Sequence, residues 1–160
     1  MGPDPSHDKS DACGIIIAGL NEQGQGIVLA DETLNRASPL NWARAAVRAY
    51  HQFEADRIIA EVNQGGEMVE TLIRQVDASV AISSVRATRG KYIRAEPVAA
   101  LYEQGRIRHV GNLPLLEDEL CDFGPGGLSN SKSPDRLDAL VWALTDLMLN
   151  RATAPRVRSL

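Results

Sequence analysis

The chain has 160 residues, 44% of them hydrophobic and 24% charged, with a formal net charge of −4. That balance excludes a disordered or fibrous chain and predicts one globular domain over 1–150 with a flexible tail over 151–160. No apolar run approaches the ~20 residues of a membrane span, and the polar start MGPDPSHDKSDA lacks the apolar stretch of a secretion signal. The two cysteines, Cys13 and Cys121, show no metal-type spacing, which fits a reducing compartment and two inert buried thiols. The expected location is the cytoplasm, without membrane contact.

The first elements read as a hairpin. Two β-branched apolar runs, 13–20 and 26–31, flank NEQGQ, whose Asn, Gln and Gly supply turn chemistry. Ser38 then caps a helix with Pro39 in its first position, and Leu40, Ala43, Val47 and Tyr50 recur at helical spacing through about 54. A short buried strand is predicted over 57–62. A helix over 65–75 follows, with Met68, Leu72 and Ile73 on one face, and then a strand over 80–85.

The second half begins with a basic window. Arg86, Arg89, Lys91, Arg94, Arg106 and Arg108 crowd a short stretch of an otherwise acidic chain, so local sign says more about partners than net charge does. A Pro-interrupted helix ending at Gly105 is predicted next, then the strand RIRHV, an acidic helix over 113–123 and the loop GPGGLSNSKSP. The last helix, 135–149, buries Leu137, Leu140, Val141, Leu144 and Met148. A hairpin followed by alternating helices and strands implies an α/β architecture, a mixed sheet with helices on both faces.

Few residues in this layout invite chemistry. Glu61 ends the apolar run IIA, and a carboxylate on such a strand must be paired, protonated or bound to a cation unless it turns outward to water. Asn63, Gln64, Gly65 and Gly66 follow it, an amide-rich turn whose glycines let backbone approach a ligand. Asp135 and Asp138 lie one turn apart at the start of the last helix, where they could share a divalent ion with Glu61 or simply complement the helix dipole. Asp138 is flanked by Leu137, Ala139, Leu140 and Val141, which favours an inward direction. Arg86, Arg89, Lys91 and Arg94 suit phosphates, and the scarcity of aromatics nearby argues against single-strand stacking. His7, His51 and His109 show no ligand spacing, and Trp42 and Trp142 read as core.

Taken in order, DACGIIIAG, IIAEVNQGGEMV, VRATRGKYIRAEPVAALYEQGRIRHVG with LEDEL after it, and SPDRLDALVWAL resemble the C-terminal nuclease domain of the terminase large subunit, found in tailed phages, prophages and gene transfer agents. The resemblance spans roughly residues 4–149. It implies an RNase H-like fold, two Mg2+ or Mn2+ ions held by acidic residues, and cutting of concatemeric double-stranded DNA during packaging. By the same resemblance the catalytic residues are Asp4, Glu61 and Asp138. Asp135 joins these three as a metal ligand and Asp11 supports the site, as does Asn63 from the amide-rich turn after Glu61. Implied partners are the portal, the small terminase subunit and a terminase ATPase domain, although no G-x-x-x-x-G-K-[ST] motif occurs here. Only Met1, Gly2 and Pro3 precede Asp4, so the family's first strand is expected to be truncated. Two alternatives remain open: a truncated nuclease fold that binds DNA or packaging partners without cutting, and a junction-resolvase-like nuclease.

Overall fold

The computed structural model describes residues 12–62 and 67–150. Asp4, Asp11 and Asn63 and the tail 151–160 lie outside them.

In chain order the elements are β1 (Ala12–Cys13), β2 (Ile16–Leu20), β3 (Gly26–Asp31), β4 (Leu34–Asn35), α1 (Pro39–Gln52), β5 (Ile58–Glu61) and α2 (Glu67–Val76). After these come β6 (Ile82–Val85), α3 (Lys91–Glu103), β7 (Ile107–His109), α4 (Pro114–Asp122) and α5 (Asp135–Leu144), the last continuing into a π-helical turn, Thr145–Leu149. β2 and β3 form the antiparallel hairpin around a turn in which Gly24 takes φ +75° and Asn21 Oδ1 accepts the Gln25 N–H at 2.8 Å. β7 adds to β3 in parallel, and β5 pairs with β6 in parallel. The predicted 13–20 strand is broken. β1 is a separate two-residue strand that pairs with β4, and strand pairing is interrupted at Gly14, where a Cβ would stand 2.1 Å from the Asp135 carbonyl oxygen.

The expected single mixed sheet is divided into three ladders, β1–β4, β2–β3–β7 and β5–β6. β2 and β5 therefore each have one hydrogen-bonded neighbour among the described residues, and they do not pair with each other. Two apolar cores follow the division. Val28, Val98, Leu101, Ile107, Leu116, Leu137, Leu140, Val141 and Leu144 join β3, β7 and helices α3 to α5. Ala43, Val47, Ile73 and Val80 join α1 and α2 to the β5–β6 ladder through Ile58 and Ile82. α5 touches β1, β2 and β5, one strand from each of the three ladders.

Helix starts are satisfied in different ways. Ser38 Oγ accepts the Asn41 N–H at 3.3 Å with Pro39 in the first turn, the predicted N-cap of α1. α2 buries Ile73 with Val69, Leu72 and Val76 against it, whereas Met68, expected on that face, is 61% exposed. α3 starts inside the basic window rather than after it, and it carries Pro97. α5 has no side-chain cap of its own; instead Glu119 Oε2 on α4 accepts the Leu137 N–H at 3.0 Å. Burial raises the pKa of Glu119, against the opposing pull of that N–H and of Arg136. Arg136 in turn binds Asp31 at 2.8 Å, tying α5 to β3. Neither cysteine is in a disulfide, and Cys121 is exposed on α4, not buried as the sequence suggested. No helix among the described residues is long and apolar enough to cross a membrane.

Candidate active site

Glu61 closes β5, whose Ile58, Ile59 and Ala60 are half-buried or buried, and its register partner on β6 is Val85. Arg86 is the next residue along the chain, one position past the end of β6. Asp138 sits in the first turn of α5, its N–H bonded to the Pro134 carbonyl at 2.9 Å, and only 8% of it is exposed. Gly14 lets the hairpin approach the start of this helix, which sets how near Asp138 comes to the strands.

One guanidinium joins the two acids. Arg94 Nη1 stands 3.0 Å from Asp138 Oδ1 and 4.0 Å from Glu61 Oε2, although it is buried and makes no well-directed hydrogen bond. The same guanidinium lies 4.7 Å over the ring of Trp142, and its Nε donates to the Arg89 carbonyl at 3.1 Å. Trp142 donates its indole N–H to Glu61 Oε2 at 2.9 Å. On the other side of Asp138, Lys91 Nζ is 3.3 Å from Oδ2 and donates to Ser133 Oγ at 3.1 Å. Ser133 donates its own hydroxyl to Asp135 Oδ1 at 2.6 Å. The result is one continuous polar chain, from Asp135 through Ser133, Lys91, Asp138 and Arg94 to Glu61 and Trp142.

The sequence-predicted residues fall into three groups. Glu61 and Asp138 are brought together. Asp135 joins them indirectly, through Ser133 and Lys91, and faces a cleft of about 400 Å³ that Asp118, Asp122 and Lys132 also line. Lys91 and Arg94, expected to face DNA, are turned onto the acids, while Arg86 and Arg89 are exposed. Trp142, expected in the core, is half-buried with its polar edge on Glu61. The signal for it was present in the spacing: four residues after Asp138, it shares that residue's helix face.

Carboxylate oxygens from two elements are hard donors of the kind Mg2+ and Mn2+ take. A nearly buried Asp138 requires cationic compensation, which Lys91 and Arg94 give in this structure and which a divalent ion could also give. Among the described residues no three His, Cys, Asp or Glu side chains form a group able to hold one.

A family model described as the terminase RNase H-like domain matches residues 1–147. The chain belongs to that family. Among solved structures, this terminase-type domain is similar to the large terminase nuclease from thermophilic phage G20c. The TM-score is 0.59 and the identity 13%, over 84% of this chain and 82% of that one. At that identity the likeness speaks for the RNase H-like fold. No curated protein sequence matches the terminase-type chain.

Proposed function

We propose that this terminase RNase H-like domain is a metal-dependent endonuclease acting on double-stranded DNA, with Glu61 and Asp138 as the residues that hold the metal. The observation that carries the reading is the convergence of these two acids, from a strand end and a helix start, on the single nitrogen Arg94 Nη1. Membership of the terminase family supports DNA as substrate and a packaging machine as the setting. Asp4 and Asp135 remain further candidates as ligands, with Asp11 and Asn63 in support.

The division of labour follows from the contacts. Divalent ions, when bound, would lower the pKa of the attacking water and stabilise the leaving oxygen. The indole N–H of Trp142 fixes which way Glu61 Oε2 points, and the Arg94 guanidinium keeps the two acids from repelling each other. Exposed Arg86 and Arg89, on the segment that leaves β6 beside Glu61, hold backbone phosphates and so position the duplex without reading its sequence. A second reading, binding of DNA without cleavage, is favoured by one observation, the neutralisation of Asp138 by Lys91 and Arg94.

Nicking of supercoiled plasmid with and without Mn2+ separates the two. Cleavage that needs the ion and disappears in Glu61→Ala and Asp138→Ala is the expected result. Binding without any cleavage would establish the second reading, and metal-dependent cleavage that survives both substitutions would remove Glu61 and Asp138 from the site.

A further inference from the structure

α3 begins with an arrangement that helix electrostatics disfavours. The N-terminal turn of a helix carries partial positive charge, yet the first turn of α3 has no acid and places Lys91 at its first position and Arg94 one turn on, on the same face. Both cations are directed onto Asp138. Two cations held at the wrong end of a helix dipole, against a nearly buried carboxylate, form a counter-ion pair.

The two are held very differently. Arg94 has an 11% exposed side chain and is fixed on several sides, by Asp138, by the Trp142 ring and by the Arg89 carbonyl. Lys91 is 38% exposed, its contact with Asp138 Oδ2 is longer at 3.3 Å, and it has a second partner in Ser133 Oγ. Its ammonium is a compact point charge on a flexible stem, free to swing. It also occupies an oxygen of the residue to which the metal reading assigns a ligand role.

We propose that Lys91 is an exchangeable counter-ion: its ammonium holds a divalent ion's place on Asp138 Oδ2 and is displaced when the ion binds, while Arg94 stays as a positioning residue between Asp138 and Glu61. This rests on the metal-site reading above. The exchange keeps Asp138 compensated at every stage, since a carboxylate this buried is not left unpaired. It also links metal to DNA, because the displaced ammonium, two residues along the chain from exposed Arg89, becomes available to a phosphate.

Mn2+ affinity of the full chain, measured by calorimetry for wild type, Lys91→Gln and Asp138→Asn, tests the proposal. Removing a competitor should tighten Mn2+ binding in Lys91→Gln roughly three- to tenfold, the range set by a part-exposed ion pair. Equal or weaker binding in that variant, with Asp138→Asn reduced, would overturn the exchange while leaving the metal site standing. No Mn2+ binding by wild type, or undiminished binding by Asp138→Asn, would overturn the metal reading and the exchange with it. A second measurement does not depend on a variant's folding. The chain has three lysines, Lys9, Lys91 and Lys132, so the side-chain ε-CH2 and ammonium NMR signals of Lys91 can be followed as Mg2+ is added. They should move in step with binding, and signals unchanged at saturation would refute displacement.

Discussion

Arg94 carries more interactions than any other side chain at the site, and its removal separates structural from chemical roles. Arg94→Ala leaves Asp138 with Lys91 alone and takes away the stacking on Trp142. Breaking a fully buried pair costs about 3–5 kcal/mol. With Glu61 22% exposed and Lys91 still in place, we expect about 2–4 kcal/mol, read by urea denaturation. Trp142→Phe is the gentler probe. It keeps an aromatic face under the guanidinium but loses the N–H to Glu61, so stability should fall by about 1 kcal/mol. Plasmid cleavage should fall by about tenfold or more, since a ligand free to rotate is misplaced. Loss of stability without loss of rate would make Trp142 a packing residue only. Away from the site, Asp77 gives an acid-side prediction. The Ser79 hydroxyl and N–H, with His51 behind them, hold its pKa at about 2 against an ordinary 3.8. A depressed carboxylate stabilises the fold above its ordinary pKa, and that contribution is lost as pH falls from about 4 towards about 2. The melting temperatures of wild type and Asp77→Ala should therefore differ at neutral pH and converge over that window.

At the level of elements, the close approach of the hairpin to α5 is the tightest constraint. Alanine at position 14 would put its Cβ 2.1 Å from the Asp135 carbonyl oxygen, a backbone atom that cannot step aside without moving the helix. Gly14→Ala should cost about 1–3 kcal/mol and weaken Mn2+ binding, because the turn that shifts also carries Asp138. Gly26 makes the matching contact at the other end, where a Cβ would meet Met148 Sδ at 2.7 Å. Neither contact could be read from the sequence, since each depends on a segment more than a hundred positions away. What could be read was local. The β-branched runs, the Ser38–Pro39 cap and the Leu137, Leu140, Val141, Leu144 stripe each specify an element from its own residues. Glu61 and Asp138 stood out as charges in apolar surroundings. The break at Gly14, the pairing of β1 with β4 and the turning of Lys91 and Arg94 onto Asp138 are tertiary choices with no local signature. So was the face of α2, where Met68 points outward although its spacing places it with Leu72.

Across the whole molecule, the two cores should answer independently to substitution. Ile73 and Leu140 are both fully buried, one in each core. Truncating either to alanine should cost about 2–5 kcal/mol. Leu140→Ala should also reduce Mn2+ affinity, because it loosens the helix that holds Asp138, whereas Ile73→Ala reaches the ion only through Ile58 and the far end of β5 and should reduce affinity less. Calorimetry on both variants checks this, and equal effects on affinity would mean that the division of the sheet has no mechanical meaning.

Each half also contains one of the two tryptophans. Trp42 packs with α1 and α2, its indole nitrogen buried without a hydrogen-bond partner, while Trp142 lies under a guanidinium with its nitrogen on a carboxylate. An indole beside formal charges and one in an apolar pocket emit at different wavelengths and meet quenchers at different rates. The protein therefore reports on its halves in two colours without any label, one for the packing of the helices on β5 and β6, the other for the state of the acids.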